Sequence, residues 1–130
     1  MVDMALLINC IFVGLGGCAG SIARYLICGM NFGKIGDFSL LTLFVNVLGS
    51  FIIGFVAAIA LNRGMDPRLN LVLKTGFCGG FTTFSTFSLE TFTLLESNRW
   101  PFALLYIVAS VVLCVLGVML GTLAGKAAVA

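Results

Sequence analysis

The sequence predicts an all-α membrane protein with four transmembrane helices per chain, the third of them broken near the bilayer midplane. Three observations lead there. The 130 residues are 61% hydrophobic and only 9% charged, with a mean hydropathy of +1.20. That is more apolar surface than a soluble fold of this length can hide, so the remainder must face lipid. The apolar residues fall into four runs, each near the ~20 residues that cross a bilayer core. The third run contains "GGFTTFSTFS" from Gly79 to Ser88, a composition that disfavours a continuous helix.

The first run spans about residues 4–30. It follows no polar N-terminal region, lacks a small-residue cleavage site and exceeds the apolar core of a signal peptide, so the chain reads as mature membrane protein from residue 1. Gly16 and Gly20 lie one turn apart and allow a neighbouring backbone to approach closely. Arg24 is the basic residue inside this apolar run. It can snorkel to headgroups, pair with carbonyls or attract anions at a pore mouth. The second run, about 38–61, places Thr42, Asn46 and Ser50 on one face at four-residue spacing, with Ser50 and Gly54 as a further small-residue pair. Such a polar ladder either passes an anion or joins helices.

The third run covers about 68–97, with Pro67 where a helix would start. Gly79 and Gly80 are followed by Thr82, Thr83, Ser85, Thr86 and Ser88. Glycine raises the cost of helix and hydroxyls compete for backbone bonds, so a break is expected between about Gly79 and Thr83, at the double glycine. At membrane depth a break is tolerated only where protein or water covers it. It frees carbonyl oxygens, which suit a hard cation. Beyond it, Phe84 and Phe87 share a helical face, and the positive edges of their rings can lie against an anion. Glu90 follows within about a turn, to line a vestibule or pair with a base. The fourth run, about 101–125, starts at Pro101 beside the interfacial anchor Trp100. It carries a second ladder of Tyr106, Ser110 and Cys114, and the packing series Gly117, Gly121 and Gly125.

The connections "NFGKIGD", "NRGMDPR" and "SNRWP" hold the turn residues and half of the charged ones. Four hairpin helices would place Arg63, Arg68, Lys74 and Lys126 on one side, against Lys34, Arg99 and Arg24 on the other. This bias is too small to fix an orientation firmly. It fits either a single orientation or two oppositely inserted copies paired about an axis in the membrane plane.

Other classes are poorly supported. The net charge of +2 does not suggest nucleic acid. With no histidine and five cysteines lacking CxxC pairing, a zinc site or histidine acid–base chemistry is not expected. No nucleophile–base pair marks an enzyme. A small drug/proton exporter needs a carboxylate deep in its first helix, where this chain has only Asp3 at the start. A non-transporting assembly subunit would account for the small-residue spacings, but not for a break flanked by paired phenylalanines.

"TGFCGGFTTFSTFSLE" resembles the third-helix signature of the CrcB/Fluc fluoride channels, and "GGCAGSIARY" and "VNVLGSFIIG" resemble that family's blocks in helices one and two. The similarity extends over the chain in length and helix count. It implies a multi-pass protein of the bacterial plasma (inner) membrane, built as an antiparallel (dual-topology) homodimer with two fluoride pores. It also implies a central structural sodium ion (Na+) held by backbone carbonyls, here those of Gly79 and Thr82. Phe84 and Phe87 correspond to the family's phenylalanine box and Asn46 to its pore asparagine. Ser85 and Thr86 match the hydroxyl positions beside the box, and Tyr106 and Ser110 the polar track of helix four. Arg24 matches the vestibule arginine, and Glu90 the third-helix glutamate. Cys114 stands where some members carry serine, and a thiol is a weaker donor than a hydroxyl. Fluoride suits such residues: it is small and strongly hydrated, so neutral donors must replace its water, while a full positive charge beside it would slow its exit.

Overall fold

The computed structural model describes residues 3–30, 34–35 and 38–130. Most of the connection "NFGKIGD" and the side chain of Lys34 lie outside the described residues. Helix α1 is Met4–Cys28, capped by Asp3 accepting from the Ala5 amide at 3.3 Å. A two-residue antiparallel ladder, Lys34–Ile35 (β1) with Phe38–Ser39 (β2), precedes the second helix. Helix α2 runs over Leu40–Gly64. Ser39 caps it by accepting from the Thr42 amide. Its last stretch, Ala60–Gly64, is wound as a wider π-helix. Gly64, at φ +68°, ends it in a conformation that favours glycine.

The third segment is helical in pieces. Residues 67–81 form α3, with Pro67 in the first turn and Asp66 accepting from the Arg68 and Leu69 amides. Within α3, Leu71–Cys78 is π-helical and Gly79–Phe81 returns to α-helix. Thr82 and Thr83 are extended, and helix α4, Phe84–Glu96, begins after them. Helix α5 is Trp100–Val129, which carries the expected fourth run past residue 125. Among the described residues three helices are long and apolar enough to cross a membrane: α1, α2 and α5. The structure is thus all-helical apart from the small ladder.

Two close pairings organise the bundle. Helix α5 lies along α2, and α1 lies along α3. Both depend on missing side chains. A Cβ at Gly54 would collide with the Val118 carbonyl, and one at Gly121 with the Phe51 carbonyl. Likewise a Cβ at Gly16 would strike the Val72 carbonyl, and one at Gly80 the Gly17 carbonyl. Backbone meeting backbone is how membrane helices associate when lipid removes the hydrophobic drive between them. The buried core is small, with Phe87, Leu94, Ala103 and Tyr106 packed beneath Leu40, Leu43 and Leu95. Many large apolar side chains, among them Leu6, Ile11, Leu104, Val112 and Leu120, point outward. This is the arrangement expected where lipid is the solvent.

Candidate functional site

The site grows from the interruption between α3 and α4. The break expected between about Gly79 and Thr83 lies at the far end of that range: Gly79 keeps helical angles and Gly80 belongs to the same turn. The extended residues are Thr82 (ψ 156°) and Thr83 (φ −147°). Gly80 serves instead to let α1 approach, because a Cβ there would enter the Gly17 carbonyl. The physical reason for the later break is a side chain from α2. Asn46 Oδ1 accepts the Thr83 amide at 2.7 Å, and Asn46 Nδ2 donates to the Thr83 carbonyl at 3.1 Å. In a continuous helix the Thr83 amide would bond the Gly79 carbonyl.

The other main-chain oxygens near the break are divided unevenly. The Cys78 carbonyl accepts from the amide and the hydroxyl of Thr82, at 3.0 and 2.8 Å. The Gly80 carbonyl accepts from Arg24 Nε at 3.1 Å and from the Ser21 hydroxyl at 3.5 Å. None of these bonds uses the carbonyl of Gly79 or of Thr82. Arg24 is therefore tied to a carbonyl of the third segment, one of the arrangements open to it from sequence.

Thr83 then starts α4. Its hydroxyl accepts the Thr86 amide at 3.2 Å and donates to the Thr86 hydroxyl at 2.9 Å, with the Ser85 hydroxyl at 3.3 Å. Thr83 was not singled out from sequence. The available signal was a threonine just before a resumed helical run, a favoured N-cap. Next come the rings. Phe84 and Phe87 have centroids 5.5 Å apart, tilted by 50°. Phe87 meets Tyr106 edge-on at 5.1 Å. Phe87 is buried, whereas Phe84 is 78% exposed in the single chain.

Glu90 gathers two hydroxyls. Its Oε2 accepts from Tyr106 at 2.6 Å and its Oε1 from Thr42 at 2.9 Å. Both donors are buried, so this bond network links α2, α4 and α5 beside the rings. A cavity of about 580 Å³ is bordered by the Phe84 and Phe87 rings. Its wall includes Asn46, Ser50, Thr82, Phe84, Phe87, Ser110 and Cys114, with Lys74 and Gly79 also on it. The Ser110 hydroxyl is buried and has no hydrogen-bond partner among the described residues. The rungs of both polar ladders thus divide in two: Thr42 and Tyr106 bond Glu90, whereas Asn46, Ser50, Ser110 and Cys114 border the cavity. Of the residues expected to act, Ser85 and Thr86 stay at the start of α4 beside Thr83, and Gly79 and Thr82 flank the break.

The chain also matches a protein family over most of its length. The model for "CrcB-like protein, Camphor Resistance (CrcB)" matches residues 11–122. The chain belongs to this CrcB-like family. A relative from Ruminiclostridium cellulolyticum is 43% identical over 92% of this chain and 94% of its own length. One from Geobacter sulfurreducens is 45% identical over 88% and 94%, and one from Rhizobium meliloti is 46% identical over 85% and 90%. Each of these CrcB-like proteins is named "Fluoride-specific ion channel FluC", a channel name rather than an enzyme name. Family and apolar helices together make this a multi-pass protein of the bacterial inner membrane.

Proposed function

We propose that this chain is a fluoride-selective passive channel that exports fluoride through two pores of an antiparallel homodimer, with a structural sodium ion at the centre of the interface. The observation that carries this reading is the row of Phe84, Phe87 and Tyr106 rings set beside a hydroxyl-lined cavity. Ring edges and neutral donors attract a small anion without the tight hold of a full charge, and Lys74 is the charged side chain on the same wall. Ser110 supports the reading further, since a buried hydroxyl without a protein partner is a donor available to a passing ion. The relatives' name points the same way.

The four-span architecture and the dimer belong to this proposal. Helix α4, with 13 residues, is only about 20 Å long and falls short of a ~30 Å hydrocarbon core. Joined to α3 it is long enough, so residues 67–96 form one broken crossing and the chain is a single membrane domain. The break then lies near mid-membrane, where its exposed backbone needs cover. An inverted second copy supplies that cover and also shields Phe84. The Gly79 and Thr82 carbonyls fit a hard monovalent ion, because they are oxygen donors that the named bonds leave unused. Bound there, sodium would tie the main chains of two copies together. Asn46, Ser85, Thr86, Phe84, Phe87, Tyr106 and Ser110 line the fluoride path, and Arg24 and Glu90 face its vestibules.

Ion efflux from liposomes containing the purified protein tests the reading. Fluoride should leave rapidly while chloride stays; equal rates for the two ions would reject it.

A further inference from the structure

Asn46 does something that a pore-lining amide need not do. Both ends of its side chain are engaged with the main chain of one residue of another segment, the amide and the carbonyl of Thr83. This is the pattern of a neighbouring strand or turn, reproduced by a side-chain amide. One turn along α2, a Cβ on Gly49 would run into the Thr82 methyl. Asn46 and Gly49 therefore form a socket on α2, polar at one point and open at the next, that receives Thr82 and Thr83.

We propose that Asn46 is the positioning residue of the break. By holding the Thr83 amide it removes the donor that would otherwise close on the Gly79 carbonyl, and by holding the Thr83 carbonyl it fixes the turn of chain that presents Thr82. The two main-chain oxygens at Gly79 and Thr82 stay open and in a fixed relation because of a side chain that touches neither. This makes cation binding at the interface depend on a residue of the anion path. It rests on the reading above only in taking a cation as the group those oxygens serve.

The test uses the full-length protein in detergent with two readouts. The first is the sodium concentration that half-saturates its thermal stabilisation. Asn46→Ala removes both bonds and should raise that concentration at least about tenfold. A general loss of stability lowers every melting temperature and leaves that midpoint in place. The second readout is hydrogen exchange at the Thr83 amide. It should be slow in the unmodified chain and at least about tenfold faster in Asn46→Ala. Asn46→Ser offers one hydroxyl for two groups and should fall between; it decides the matter if the alanine variant does not fold. Exchange at Thr83 unchanged by either substitution overturns the proposal, as does an unchanged sodium midpoint. If the unmodified chain shows no response to sodium, the cation reading falls, and the exchange measurement alone decides whether Asn46 holds the break.

Discussion

The α2–α5 pair and the segment from Pro67 to Glu96 solve the same problem in opposite ways. Both must place backbone in a medium that offers no water for hydrogen bonding. Helices α2 and α5 keep their bonds inside the helix and gain contact by omission. Gly54, Gly117, Gly121 and Gly125 bring main chain against main chain or against Ser50 and Ala58. The third segment gives up the helical bond of the Thr83 amide and satisfies the freed groups from elsewhere, through Asn46, through its own Thr83 hydroxyl and, at Gly80, through Arg24 and Ser21. On the proposed function, the continuous pair is the frame and the interrupted segment the working part. Substitutions in the first should change whether the protein assembles, and substitutions in the second what it conducts.

Gly121→Val breaks the frame most severely. Its new Cβ meets the Phe51 carbonyl, with the Phe55 amide nitrogen at 3.0 Å. Backbone cannot swing aside, so a cost at or above the usual 1–3 kcal/mol of overpacking, roughly, is expected. Melting temperature and yield of folded protein measure it, and an unchanged melting temperature would show that the α2–α5 contact is loose. Gly14→Ala is the control, because among the described residues no atom of another segment lies within 4 Å of its Cβ position.

Tyr106→Phe acts at the junction of the two regions. It keeps the ring that meets Phe87 and removes the hydroxyl that donates to Glu90. A stability loss of about 1–2 kcal/mol is expected from one buried bond, together with slower fluoride efflux. Full retention of both would mean that the Glu90 network is idle.

Ser110→Ala separates the regions most cleanly. Its hydroxyl has no partner among the described residues, so deleting it should leave stability unchanged or raise it by up to about 1 kcal/mol. Fluoride efflux should nevertheless fall. A variant that lost stability without losing flux would place that hydroxyl in the frame. Cys114→Ser, the smallest change, adds a better donor to the same wall. It should alter efflux modestly and melting hardly at all.

The frame was easier to read from sequence than the working part. Glycine spacing in the fourth run and the apolar run lengths are local features, and they predict which faces approach. The start at Pro67 is likewise local, since proline at the first helical turn has a fixed φ. The position of the break is not local. Gly79 and Gly80 carry low helix propensity, yet they remain helical, and Gly80 is needed there for contact with α1. Thr82 and Thr83 leave the helix because a side chain some 37 residues earlier offers Thr83 a better partner. No propensity records that. Glu90 is similar: its two donors come from Thr42 and Tyr106, on separate helices, so its bonding could be found only once the bundle was assembled. The polar ladders were visible as faces, but whether a rung joins helices or borders open space was decided rung by rung.

The most direct test of the claim that the interrupted segment conducts is fluoride efflux from vesicles carrying Phe84→Ile and Phe87→Ile together, at matched amounts of folded protein. The substitution removes the ring edges and leaves the glycine contacts of the frame intact. Efflux should fall to the level of protein-free vesicles, while the protein still folds with a stability loss of about 1–3 kcal/mol from the buried Phe87 ring. Efflux as fast as from the unmodified protein would contradict it.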